Sequence, residues 1–205
     1  MRASRRPTIA INGSESPILG AALQKLTVID DGVRPSRCEA RFNNWGPVGT
    51  GTDGYLFFDR RVLDFDARLR VLLSGVSVFD GAIVALNAGF PEAAAPTLAV
   101  RAEDRVVATD VNVPPIAGDP GTITLVRGRE LRDVSVQDDS IAQRHRVARG
   151  TCEATPAIHV GAVVDLQGIG EFFSGLYRVA EVRHTFDHSD GLTTSFCAEA
   201  ARRRP

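Results

Sequence analysis

Leu166-Gln167-Gly168-Ile169, then Phe173-Ser174-Gly175, then Val179-Ala180-Glu181-Val182 form a pattern that occurs once before in the chain. The earlier copy reads Leu73-Ser74-Gly75-Val76, Phe79-Asp80-Gly81 and Val84-Ala85-Leu86. A third element follows each copy. Thr97-Leu98-Ala99-Val100-Arg101-Ala102-Glu103 and Thr193-Thr194-Ser195-Phe196-Cys197-Ala198-Glu199 share the pattern T-x-x-V/F-x-A-E. Order and approximate spacing are kept across all three. The pattern describes a strand, a Gly turn, a strand opening with Phe-x-Gly, a hairpin loop and a return strand. Gly75, Gly81, Gly168 and Gly175 supply the turn and the bend that a small barrel needs, and Phe79 and Phe173 are expected to fill the core beside that bend. Two copies exclude a solenoid. They predict two similar small β-barrels in tandem.

Working outward, the rest of the chain reads as strand and turn. Leu26 and Val28, then Cys38, Ala40 and Phe42, alternate with polar residues across Asp30-Asp31-Gly32, as do Leu69, Val71 and Leu73. Short apolar runs at Ile123 to Val126, Val134 to Val136 and Val160 to Leu166 add further strands. Only two places read as helix. Ser16-Pro17 is an N-cap followed by a first-turn proline, with Ile18, Leu19, Ala22 and Leu23 forming one apolar stripe. Asp138 to Val147 is a second, weaker helical stretch. The fold class expected is mainly β with one or two short helices. Val111 to Pro120 carries three prolines and a glycine, which a sheet interior does not accept. It is read as a linker, residues 111–120, between a first barrel at 8–110 and a second at 121–201.

Composition agrees and narrows the function classes. The chain has 205 residues, 24 Lys plus Arg against 25 Asp plus Glu, and a net charge of −1. No bulk field draws it to nucleic acid or to an anionic bilayer. No apolar run approaches the ~20 residues of a membrane span. Cys38, Cys152 and Cys197 are odd in number and scattered, which predicts no disulfide framework. The basic N-terminus, Arg2 to Arg6, is followed by no apolar stretch, so folding in a reducing cytoplasm is expected.

Little in the sequence reads as chemistry. His184, Asp187, His188 and Asp190 form the one cluster of ligand-type residues, yet their spacing places them at a hairpin tip around Ser189-Asp190-Gly191. Ser174 lacks the frame of a nucleophile elbow, and Gly46, Gly49, Gly51 and Gly54 form a loop without the lysine of a phosphate cradle. No catalytic residue, cofactor or metal is expected. Long loops carry contacts, so the interface candidates are Trp45, within the loop from Phe42 to Tyr55, and His184, Asp187 and His188 on the tip.

The run from Leu166 to Phe186, closed by Gly191-Leu192-Thr193-Thr194-Ser195-Phe196, resembles the end of the phage late-control D proteins. These are tail baseplate hubs related to the N-terminal part of VgrG spikes. Val78 to Leu86 and Thr97 to Asp104, with Leu26 to Phe42 before them, resemble the same family's first barrel, so the resemblance covers most of residues 8 to 200. It implies a non-enzymatic homotrimer whose six barrels adapt a threefold spike to a sixfold tail tube. Its implied partners are the tube protein, the spike protein and baseplate wedge proteins. It also implies cytoplasmic assembly followed by incorporation into a virion or tail-like particle. The family's usual middle lobe and needle are missing, which implies a minimal hub with a separate spike. A tube-initiating adaptor of the same lineage is the nearby alternative. A β-barrel module binding nucleic acid or a small ligand is the alternative from another class, but aromatics at 6% give it few stacking platforms.

Overall fold

The computed structural model describes residues 6–49, 51–104, 121–139 and 145–200. These residues are mainly β and fall into two units. Unit 1 gathers those within Met1–Val28, Pro35–Arg105 and Thr185–Leu192; unit 2 gathers those within Ile29–Arg34, Val106–His184 and Thr193–Pro205. The linker expected at 111–120 lies outside the described residues.

Unit 1 is built from β1 (Thr8–Ile11), β2 (Ser14–Glu15), α1 (Pro17–Ala22), β3 (Leu23–Asp30), β4 (Arg37–Asn43), β5 (Trp45–Val48), β6 (Thr52–Tyr55), β7 (Arg68–Leu73), β8 (Val76–Gly89) and β9 (Thr97–Glu103). Its strands run in the order β3-β4-β9-β8-β7-β1-β2, with β5 and β6 forming a separate two-stranded arm. The period-2 patterns decide the faces. Cys38, Ala40 and Phe42 are buried on β4, and Leu69, Val71 and Leu73 on β7, while the alternating Arg37, Glu39, Arg41 and Arg68 point outward. Ser16 caps α1, its Oγ accepting from Leu19 N at 3.5 Å with Pro17 at the helix start. Of the expected apolar stripe Leu19 and Leu23 lie in the core, Leu23 as the first residue of β3, and Ala22 packs against it, whereas Ile18 is half exposed.

Unit 2 contains β10 (Ile123–Val126), β11 (Leu131–Asp139), β12 (His145–Glu153), β13 (Val163–Gln167), β14 (Gly175–Asp187) and β15 (Gly191–Ala200), the last two running at their shared tip into unit 1. The order is β11-β12-β15-β14, with β13 on β14 and β10 on β13. The helix expected over Asp138 to Val147 is not formed at its described ends. Asp138 lies on β11 opposite Arg146 on β12, and Gln137 lies opposite Val147. The pairing is favoured because it brings the Arg146 guanidinium to 2.8 Å from the Asp138 carboxylate.

The two units share one strand plan. β3-β4-β9-β8-β7-β1 in the first answers to β11-β12-β15-β14-β13-β10 in the second. The register matches too. Asn43 to Arg37 lie opposite Thr97 to Glu103, and Glu153 to Val147 lie opposite Thr193 to Glu199. The inward residues of the return strands coincide: Leu98, Val100 and Ala102 against Thr194, Phe196 and Ala198. One pairing differs. β1 is antiparallel to β7, whereas β10 is parallel to β13.

Among the described residues each strand path is open, and no closed barrel is seen. In unit 1 the chain between β1 and β3 is occupied by β2 and α1. The helix lies against β1 and β4, with its buried Leu19 in the core. A helix in that place leaves β1 and β3 no ladder to share.

Candidate functional site

The residues marked by the repeat behave differently in the two copies. Gly75 turns the chain at φ +84° into β8, and Phe79 is buried. Gly81 runs so close to β9 that a Cβ there would sit 2.4 Å from the Glu103 carbonyl oxygen. In the second copy Gly168 (φ +75°) and Gly175 (φ +137°) bound a longer turn. Phe173 lies within that turn and is only partly buried, which corrects its expected core position. The cause is the length of the connection. With more residues between β13 and β14, Tyr177 rather than Gly175 stands opposite Val164, as Gly81 stands opposite Leu69. Phe173 instead offers its carbonyl oxygen to the Tyr177 hydroxyl at 2.6 Å. Arg146 holds the same turn, stacking over the exposed Phe172 ring at 4.4 Å and donating to the Phe172 carbonyl at 2.6 Å.

Trp45 sits on β5, the first strand of the arm, where the sequence reading expected only loop. Its ring meets Tyr55 of β6 edge-on at 5.4 Å, Tyr55 lies 4.8 Å from Phe58, and Phe58 lies 5.4 Å from Phe90 at the end of β8. Trp45, Tyr55 and Phe90 are exposed large apolar side chains, so the four rings form an accessible aromatic patch. The arm is pinned at its base by Asn44. This fully buried side chain accepts from Phe57 N at 2.7 Å, and its backbone N donates to Pro96 O at 2.8 Å.

The four polar residues nominated at the hairpin tip are not brought to one centre. His184 is 3% exposed in unit 2, with Nδ1 at 2.8 Å from Thr194 Oγ1. That hydroxyl also accepts from Thr155 N at 3.2 Å. Burial lowers the His184 pKa to about 4 and holds the ring neutral. Asp187 and His188 belong to unit 1. Asp187 accepts from the Ser189 backbone N at 2.9 Å and its hydroxyl at 2.7 Å, which lower its pKa, and His188 lies 3.3 Å from Arg6. Among the described residues no group of three or more His, Cys, Asp and Glu is placed to hold a metal ion.

The equivalent outer faces of the two sheets carry equivalent grooves. In unit 1 a groove of about 360 Å³ is lined by Lys25, Thr27, Glu39, Arg41, Asn87 and Arg101 among others. In unit 2 a groove of about 240 Å³ is lined by Asp133, Ser135, Arg149, Thr151, Arg183 and Cys197, which stand at the same strand positions. The floors are small in both cases, Ala40 and Gly150. Position is conserved between the repeats but charge is not, since Lys25 is answered by Asp133 and Glu39 by Arg149.

This duplicated, open β architecture is a known one. No family model matches the chain, and no curated protein does. Solved structures do. A tail protein from Neisseria meningitidis MC58 superposes with a TM-score of 0.65 at 8% identity, over 95% of this chain and 96% of that one. The 43 kDa tail protein of prophage MuSo2 from Shewanella oneidensis gives 0.63 at 9% identity, over 94% and 97%. The Escherichia coli c3393 protein gives 0.61 at 8% identity, over 96% and 79%. It is described as a component of the type VI secretion system with structural similarity to the T4 bacteriophage tail proteins gp27 and gp5. At these identities the likeness is one of fold.

Proposed function

We propose that the protein is a structural baseplate hub of a contractile phage tail or a phage-tail-like injection system. The observation that carries this reading is the repetition of one six-strand plan in a single chain. The near full-length likeness of fold to tail and type VI secretion proteins supports it. A chain with two similar units can present six similar units as a trimer, and so match a threefold spike to a sixfold tube. Residues 8–110 and 121–201 are then the two barrel-type hub domains and 111–120 their linker. The work is mechanical. Sheet faces and loops bind the tube, the spike, the wedge proteins and further copies, and the protein ends up in a virion or tail-like particle. The test is reconstitution: the purified protein is mixed with the tube protein of the same gene cluster and tube growth is followed by electron microscopy. Short tubes capped by rings of this protein are expected. Tube growth indifferent to its presence, with no binding to tube or spike protein, would overturn the reading.

A further inference from the structure

The two repeats superpose in sequence at a constant spacing through their last hairpin. Thr97 answers to Thr193, Ala102 to Ala198, and Phe90 to Phe186, each 96 residues on. Phe90-x6-Thr97 and Phe186-x6-Thr193 therefore place a phenylalanine at the same point of two equivalent tips. Their environments are opposite. Phe186 is 2% exposed and belongs to the core of unit 1, together with Leu26 and Val28 of β3. Phe90 is 64% exposed.

The strand that would receive such a phenylalanine is also duplicated, and it too differs. The groove residues Lys25 and Thr27 answer to Asp133 and Ser135, so Leu26 and Val28 answer to Val134 and Val136 of β11. In unit 1, where Phe186 lies in the core, Leu26 and Val28 are 0% and 1% exposed. In unit 2, Val134 and Val136 pack on the core yet remain partly exposed. One unit has its plug. Among the described residues no counterpart of Phe186 belongs to the core of unit 2, and Phe90, packed against Tyr55 and Phe58, stays 64% exposed on the same chain.

We propose that the β8–β9 tip of one copy docks onto unit 2 of a second copy, with Phe90 seated over Val134 and Val136 as Phe186 is seated in unit 1. The contact is heterologous, so each copy gives one tip and receives one, and the chain of contacts either closes into a ring or runs on. A buried aromatic anchor is the kind of group that dominates such interfaces. The neighbouring Tyr55, Phe58 and Trp45 extend the donor surface. The proposal locates the self-association assumed above and rests on the hub reading only for the number of copies in the ring.

The test uses the full chain and two variants, Phe90→Asp and Val136→Asp, by sedimentation velocity. Wild type is expected to self-associate. Each variant alone is expected to weaken that association by about tenfold or more in dissociation constant, as for loss of one anchor. Phe90→Asp keeps its acceptor and Val136→Asp keeps its tip, so an equimolar mixture is expected to restore a dimer and nothing larger. A disulfide trap guards against misfolded variants. Pro91→Cys mixed with Gln137→Cys, which keeps Phe90 and Val136 in place, should give a cross-linked dimer under mild oxidation, and Phe65→Cys mixed with Gln137→Cys should not. A wild-type oligomer that survives both aspartate variants, or absence of the specific cross-link, overturns the interface and leaves the hub reading standing. A chain that neither self-associates nor binds tube or spike protein overturns both.

Discussion

The β14–β15 tip and the β8–β9 tip are the same piece of structure in two surroundings. In the second repeat the residues at the tip are buried: His184 and Phe186. Their counterparts in the first, Ala88 and Phe90, are exposed. Sequence similarity within a repeat therefore fixes backbone course and inward alternation, and leaves burial at the ends to whatever the tip meets. The difference can be broken experimentally at four points.

The largest effect is expected at the phenylalanines. Phe186→Ala should lower the unfolding free energy by about 3–5 kcal/mol, the usual range for a buried Phe. Phe90→Ala should stay within about 0.5 kcal/mol in dilute solution. Urea melts of both variants check this, and equal losses would break the comparison.

The next effect depends on pH. Burial holds the His184 pKa near 4 while the unfolded chain titrates near 6.5. Between those values the unfolded state binds the extra proton, so stability is full above about pH 6.5 and is lost as pH falls towards 4. The loss is on the order of 3 kcal/mol if the ring stays buried. His184→Gln should flatten the urea midpoint between pH 7 and pH 4.5, and Ala88→His, which adds an exposed imidazole at the matching place, should not steepen it.

A smaller effect is expected at Gly81. Its missing Cβ would lie 2.4 Å from the Glu103 carbonyl oxygen and 2.6 Å from Phe79, so Gly81→Ala must push β8 from β9 and should cost about 1–3 kcal/mol. Tyr177, at the matching place in the second copy, already fills its space; Tyr177→Phe should remove only the hydroxyl's interactions, with the Phe173 carbonyl and the Arg146 side chain, about 1 kcal/mol. Thermal melts separate the two.

The smallest is Arg146→Met. It removes the stacking over Phe172, the bond to the Phe172 carbonyl and the ion pair with Asp138, worth about 1 kcal/mol together at this exposure. The same variant should raise amide exchange in residues 168–174, whereas the two-residue turn at Ser74-Gly75 in the first repeat has no such clamp to lose.

The strands were legible because one face of each sheet is buried and the alternation is strict. Cys38-x-Ala40-x-Phe42 and Leu69-x-Val71-x-Leu73 can be paired only one way round without turning arginines inward. The duplication was legible at Thr97–Glu103 and Thr193–Glu199 for the same reason. The Phe79–Phe173 equivalence failed because spacing before the long strand differs between the copies, while spacing after it does not; the F-x6-T interval was the better ruler. The β5–β6 arm was hidden by its composition, since Gly46, Pro47 and Gly54 read as loop and the aromatic contacts that hold it together span β5 to Phe90. The neutral state of His184 was equally hidden. A histidine beside Asp187 and His188 in sequence looks solvated, and only the strand pairing takes it inward.

The placement of Thr185–Leu192 within unit 1 has a consequence for the order of folding. Unit 1 otherwise draws its described residues from before position 105. During synthesis its core stays incomplete until Phe186 has left the ribosome, some 80 residues after the last strand of the first repeat. Such long-range closure is slow and leaves an apolar opening on the nascent chain. The core of unit 1 is therefore completed only once the second repeat has been translated.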